Sequence, residues 1–304
     1  MPWPKLNDEQ AAELAAARDG RVGFLRSDRA VVRATGRHRG RFLNGLLTAR
    51  VEQDAAGDER RACFCTARGR ILAVLDLRVG PEHIDLITAA DRVEALVAGL
   101  LRYRVAERVQ LTPVPDGIVV QGPDGRLRVD ADPAATPARW RSEGIRRGSA
   151  EVADALDILR GLPRLGRDVD DGSTPLEAGL RDAVSFDKGC YLGQEAIAMM
   201  AYRGRLRRHL CHLRAPADAT PSPGWILRTP SGERAGRVGG GFVEGGVARG
   251  LGMVQRRVFR PGVELLAHPP EGGDPVPVVV LDTTLPGAFE DDPTKESRTG
   301  EAAS

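Results

Sequence analysis

The sequence predicts an α+β protein: a mixed sheet-and-helix region over 1–205, a small C-terminal β-barrel over 206–285 and a disordered tail over 286–304. Three observations carry this reading. Before 205, apolar residues switch between helical and strand spacing. After 206, helical spacing ends, glycine and proline become dense, and short apolar runs alternate with turns. Beyond 286 few apolar side chains remain. A chain of 304 residues also exceeds one small core and suits two or three packed units.

Taken in order, residues 8–18 read as an alanine-rich helix with acidic residues early and Arg18 late, matching the helix dipole. Residues 21–35 give one or two strands, and 37–49 place Phe42, Leu43, Leu46 and Leu47 at helical spacing. Residues 71–79 and 84–88 form a hairpin-like pair around Gly80-Pro81. A helix over 90–101 carries Val93, Leu96, Val97 and Leu100 on one stripe. Residues 105–120 return to strand, 121–150 read as short strands and loops, and 150–160 as a short helix. Residues 161–176 read as loop, with an acidic turn at Asp168–Asp171.

Composition excludes several classes. Hydrophobic residues at 41% and charged residues at 28% are ordinary for a globular protein. A formal charge of +2 gives no global pull toward nucleic acid or a membrane, so neither is expected as a partner. The local cluster Arg203, Arg205, Arg207, Arg208 and Arg214 reads first as a solvated face and second as a phosphate or polyanion contact. No segment approaches the ~18 apolar residues of a membrane helix, and no signal-peptide core follows Met1, so a cytoplasmic protein is expected. The four cysteines, Cys63, Cys65, Cys190 and Cys211, are too few for a disulfide scaffold. Cys63-Phe64-Cys65 with His209, Cys211 and His212 lacks zinc-knuckle spacing. The run Gly239-Gly240-Gly241 lacks a phosphate-loop ending and reads as a β-turn cluster.

One bias is informative. Of 44 basic residues, only Lys5, Lys188 and Lys295 are lysine. Lys5 and Lys295 fall in expected tails; Lys188 directly precedes Gly189-Cys190, and Tyr191 and Tyr202, two of only three tyrosines, lie close by. A lysine retained in an arginine-rich chain points to a need for a compact ammonium. Beside it, Cys190 has a route to a lowered thiol pKa, and a thiolate serves as nucleophile, metal ligand or exchange partner; the bland alternative is a small buried hydrophobe. Within 188–195, Gly189 and Gly193 allow positive φ or close approach to a flat ligand. Gln194 offers donor and acceptor, Tyr191 a ring that stacks, and Glu195 a carboxylate able to accept a paired N–H fork. Glu195 also suits the start of a helix, where it would face backbone N–H groups. The expectation is that Cys190 and Glu195 line one cavity.

The run Lys188–Glu195, KGCYLGQE, resembles the signature of the YgfZ family, which is related to the T-protein of glycine cleavage (GcvT). Phe42–Thr48, Gly69–Leu72, Leu101–Val105 and Thr174–Leu180 resemble further family stretches. The resemblance implies a GcvT-like region around a central folate pocket, closed by the β-barrel. It also implies tetrahydrofolate or a derivative as ligand, with Glu195, Gln194, Tyr191, Gly193 and Glu177 as binding residues and Cys190 with Lys188 as the reactive pair. By the same resemblance the function is an accessory role in assembly or repair of iron–sulfur proteins, with assembly proteins or client enzymes as partners. The alternative is a folate-dependent aminomethyltransferase or demethylase of the T-protein type. Against that alternative, the acidic positions of the aminomethyltransferase strand correspond here to Ala73 and Val74, and Asp76 by alternation is not expected to replace them simply. Asp157 and Met199-Met200 stand where the family tends to carry arginine, with Arg160 or Arg203 as candidate substitutes. A scaffold with no small ligand is the third reading.

Overall fold

In the computed structural model, residues 1–52, 55–115, 118–122, 124–130, 135–204 and 206–284 are described. The expected tail and the side chains of Arg203 and Arg205 lie outside the described residues. The first helix, α1 (Asp8–Arg18), starts on a capping box between Asn7 and Gln10, and its Leu14, Ala16 and Ala17 are buried. Next come β1 (Val22–Leu25), β2 (Arg29–Thr35), α2 (Arg39–Asn44), β3 (Glu59–Cys65), β4 (Ile71–Val79), β5 (His83–Ala89), α3 (Val93–Leu101) and β6 (Gln110–Val114). Strands β3-β4-β5-β2-β6, in that order, form one antiparallel sheet.

The second sheet uses β7 (Ile118–Gln121), β8 (Leu127–Asp130) and β9 (Arg146–Gly148) in the order β8-β7-β1-β9, with β1 and β9 parallel. Between β8 and β9 lies α4 (Thr136–Ser142), where the sequence shows only turn composition. Its Trp140 is buried against Gly23, where an added Cβ would sit 2.7 Å from the indole, so a long-range contact decides this helix. The α5 helix (Ala150–Leu159) packs beside α1. After a long connection comes α6 (Gln194–Arg203), then β10 (Arg208–Pro216), β11 (Ile226–Arg228), β12 (Arg234–Glu244), β13 (Val247–Gln255), β14 (Glu264–His268) and β15 (Val276–Thr283). These six strands close a barrel in the order β10-β13-β12-β11-β14-β15, as the loss of helical spacing after 206 predicts.

Three expectations need correction. The helix expected over 37–49 stops at Asn44; Leu47 instead bridges to Phe64 of β3. Lys5 is not in a tail: it pairs with Val243 of the barrel, and Trp3 beside it is buried, donating its Nε1–H to the Gly239 carbonyl at 3.0 Å. The run Gly239–Gly241 is not a turn but lies inside β12 at a bulge. Space is the reason for its composition. A Cβ on Gly241 would lie 2.2 Å from the Trp3 ring, and one on Gly240 would lie 2.4 Å from the Arg167 guanidinium. The acidic turn lies where expected, and its Asp168 is buried and accepts the Gly240 N–H at 2.6 Å, locking the connection to the barrel.

Candidate functional site

Strict alternation on β4 buries Ile71, Ala73, Leu75, Leu77 and Val79 on one face. The opposite face carries Val74 and Asp76 at successive positions. Val74, with Ala73, walls a cavity of about 520 Å³ closed by Thr88–Arg92 and by the loop 163–167. That volume lies within the range of about 300–1,000 Å³ taken by small-molecule sites. Asp76 does share the face of Val74, but its carboxylate is held by Arg61 at 3.0 Å and lines adjoining hollows.

The cavity is cationic, with Arg29, Arg92, Arg164 and Arg167 set against Asp28 and Asp91. Arg29, Arg92 and Arg164 all line it; the buried Nε of each faces a carboxylate, Asp28 at 3.4 Å, Asp91 at 3.7 Å and Asp154 at 3.2 Å, without hydrogen-bond geometry. At one edge lies Asp28, doubly bonded by Arg26 at 2.9 Å and approached by Arg164 at 3.0 Å. Burial pushes the Asp28 carboxyl up, yet the hydrogen bonds and charges of Arg26, Arg29 and Arg164 outweigh it and hold the group well below the usual carboxylate range.

Behind this edge, Arg26 also donates to Asp157 at 2.8 Å and to Gln121 at 2.7 Å, with all three buried. Asp157 is therefore the anionic half of an ion pair whose arginine comes from the far end of β1. Arg26 and Arg29, not Arg160, place guanidinium groups beside Asp157.

The motif 188–195 lies on the other side of the β3–β4 turn. Gly193 has φ +86° and caps α6; a Cβ there would meet the Thr66 carbonyl at 2.5 Å and Gly69 at 3.2 Å. The Gln194 side chain closes its own turn by accepting the Tyr191 N–H at 3.2 Å. Tyr191 is a core residue whose hydroxyl is pushed up to about 12 by burial, so its ring is packed rather than presented for stacking. Lys188 is buried, and its ammonium donates to the carbonyls of Asn44 at 2.6 Å, Leu47 at 2.9 Å and Ala49 at 2.7 Å. Those carbonyls belong to the last residue of α2 and to the loop that follows it, where no helix partner satisfies them. The compact ammonium is thus spent on the backbone, and the expected pairing with the Cys190 thiol gives way to a structural role.

Cys190 and Glu195 are both exposed, Glu195 in the first turn of α6. Neither lines the cavity beneath Val74. Glu177, by contrast, is buried, accepts the Thr174 N–H at 3.1 Å and lies 3.6 Å from Arg70 and 3.7 Å from Arg208. Cys63, Cys65 and Cys211 are buried, with the Cys63 thiol pushed up to about 12 by burial. Among the described residues, no group of three or more His, Cys, Asp or Glu is placed to hold a metal ion, and no helix is long and apolar enough to cross a membrane. Sequence reading missed Arg29, Arg92 and Arg164 because arginine is everywhere in this chain; only their Nε environment singles them out.

Comparison with known proteins agrees with this architecture. No family model matches the chain. The protein named tRNA-modifying protein YgfZ from Yersinia enterocolitica is 25% identical over 252 residues, covering 70% of this chain and 76% of that protein. Its namesake from Yersinia pseudotuberculosis matches at the same 25% identity and the same coverage. The crystal structure of the glycine cleavage system aminomethyltransferase T from Bartonella henselae superposes with a TM-score of 0.72 at 17% identity, covering 92% of this chain and 90% of that one. The chain is thus similar in sequence to the YgfZ proteins and shares the fold of the aminomethyltransferase T.

Proposed function

We propose that the chain binds tetrahydrofolate or a derivative in the cavity beneath Val74, and that it serves as a YgfZ-type accessory to iron–sulfur proteins. The observation that supports the ligand is a cavity of about 520 Å³ in which the guanidinium groups of Arg29, Arg92 and Arg164 surround an apolar wall of Ala73, Val74 and Leu165. A folate fits that donor set. Its flat ring suits the apolar wall, and its ring oxygen and glutamate carboxylates are acceptors that guanidinium groups bind. Bound folate would bring a one-carbon carrier; the residues here hold and orient it.

Exposure of Cys190 supports a division of labour in which folate occupies the interior and the thiol faces a client protein. On this reading Glu195, exposed beside the thiol, belongs to the client-facing surface. Lys188, Tyr191, Gly193 and Gln194 hold that surface in shape.

The accessory reading is favoured over aminomethyl transfer because Val74 leaves the cavity wall apolar, and the nearest carboxylate on the same face, Asp76, is bound to Arg61. The carboxylates that do line the cavity, Asp28 and Asp91, face Arg26, Arg164 and Arg92. Purified protein is expected to be stabilised by tetrahydrofolate and to show no turnover of aminomethyl or N-methyl donors; robust turnover would replace this reading with the enzymatic one. In cells, loss of the gene or Cys190→Ala is expected to lower iron–sulfur enzyme activities under oxidative stress. Normal activities in both strains would remove the accessory role.

A further inference from the structure

A second cavity lies where the barrel meets the β3–β4 turn, with a volume of about 760 Å³. Six arginines face it: Arg70 from the turn, Arg207 and Arg208 from the start of β10, and Arg256, Arg257 and Arg260 from the β13–β14 connection. The net charge of +2 conceals this local surplus.

Three of the six are neutralised. Arg208 pairs with Asp170 at 2.9 Å, Arg70 lies 3.6 Å from Glu177, and Arg257 pairs with Glu233. Arg207, Arg256 and Arg260 have no carboxylate partner among the described residues. Arg256 donates to the Gly204 carbonyl and Arg260 to that of Phe259, while Arg207 is exposed. His209 registers the field: burial first, then the charge of Arg256, pushes its imidazole down to about 4.

A single small anion would engage one or two forks, but here the guanidinium groups come from three segments around a broad opening. Near the end of α6, Tyr202 is 81% exposed and lies two residues before Gly204, whose carbonyl accepts from Arg256 of the cavity lining. Uncompensated arginines next to an exposed aromatic ring are the combination that tracks phosphates and stacks bases. We propose that this cavity binds the phosphate backbone of a single-stranded polynucleotide, with Tyr202 stacking on a base. The inference is independent of the folate reading.

The test is fluorescence anisotropy of the full chain with a labelled oligouridylate of about 12 nucleotides, a length within single-strand site sizes. Wild type should bind with an affinity that falls linearly in log–log form with salt. Arg207→Ala/Arg260→Ala should weaken binding about tenfold or more and flatten the salt slope by about 1.4, about 0.7 for each lost phosphate contact. Arg146→Ala/Arg147→Ala, which removes two exposed arginines of β9, should leave affinity within about twofold, and Tyr202→Ala should weaken it about fivefold or more. Tetrahydrofolate affinity should be unchanged in all of these. Absence of binding by wild type would overturn the proposal. So would equal losses in the two arginine pairs, or competition by polyglutamate or tripolyphosphate as effective, charge for charge, as by the oligonucleotide.

Discussion

Replacing Lys188 by methionine removes an ammonium that sits on three carbonyls while keeping an unbranched apolar stem of similar length. Each charged hydrogen bond to Asn44, Leu47 and Ala49 is worth on the order of 1.5–3 kcal/mol, offset in part by the several kcal/mol that burying an ammonium costs. Because the carbonyls stay behind unpartnered, a net loss of about 3 kcal/mol is expected. At about 2–4 °C per kcal/mol for a chain of this size, the melting midpoint should fall by about 6–12 °C. Lys188→Arg should also destabilise, since a planar fork cannot meet three carbonyls converging from one loop. Circular dichroism melts read the stability, and thiol titration of Cys190 in the folded state reads its reactivity. If Lys188→Met melts within about 1 °C of wild type while Cys190 reactivity collapses, the lysine acts on the thiol and the structural account is wrong.

Two further outcomes follow from the packing. Trp3→Ala removes a buried indole and its bond to Gly239 and should cost about 3–5 kcal/mol, seen as a lower urea midpoint; an unchanged midpoint would mean that the N-terminal segment does not hold the barrel. His209 is pushed down to about 4 by burial, so the unfolded chain takes up a proton below its ordinary pKa near 6.5 while the native chain does not. Stability tied to this group is therefore complete above about pH 6.5 and drains as pH falls toward 4. Between pH 7 and 5 wild type should lose about 2 kcal/mol more than His209→Phe by urea denaturation, and parallel losses would show that the histidine is freely protonated in the native state.

The strand pattern of β4 is written in its residues, because alternation needs only neighbours in sequence; hence the barrel, the β4–β5 pair and the missing carboxylates at Ala73 and Val74 are all readable. The motif 188–195 was readable as special, but its chemistry was not. Lys188 answers to carbonyls about 140 residues earlier, a relation that no local window contains. The glycine run of β12 illustrates the same point. Its composition recommends a turn, and only Trp3, more than two hundred residues away, explains it. Asp157 looked like a lost arginine until Arg26 was seen to bring the charge from another element. Arginine abundance hid both cavities, since which guanidinium groups line a cavity is a property of packing.

Calorimetric titration of tetrahydrofolate into wild type, Val74→Trp and Glu195→Ala tests the central claim most directly. An indole at 74 projects into the cavity that Val74 walls, whereas Glu195 is exposed outside it. The account predicts binding by wild type and Glu195→Ala with similar affinity and none measurable for Val74→Trp. Retained binding in Val74→Trp, together with its loss in Glu195→Ala, would contradict it and return the ligand to the motif helix.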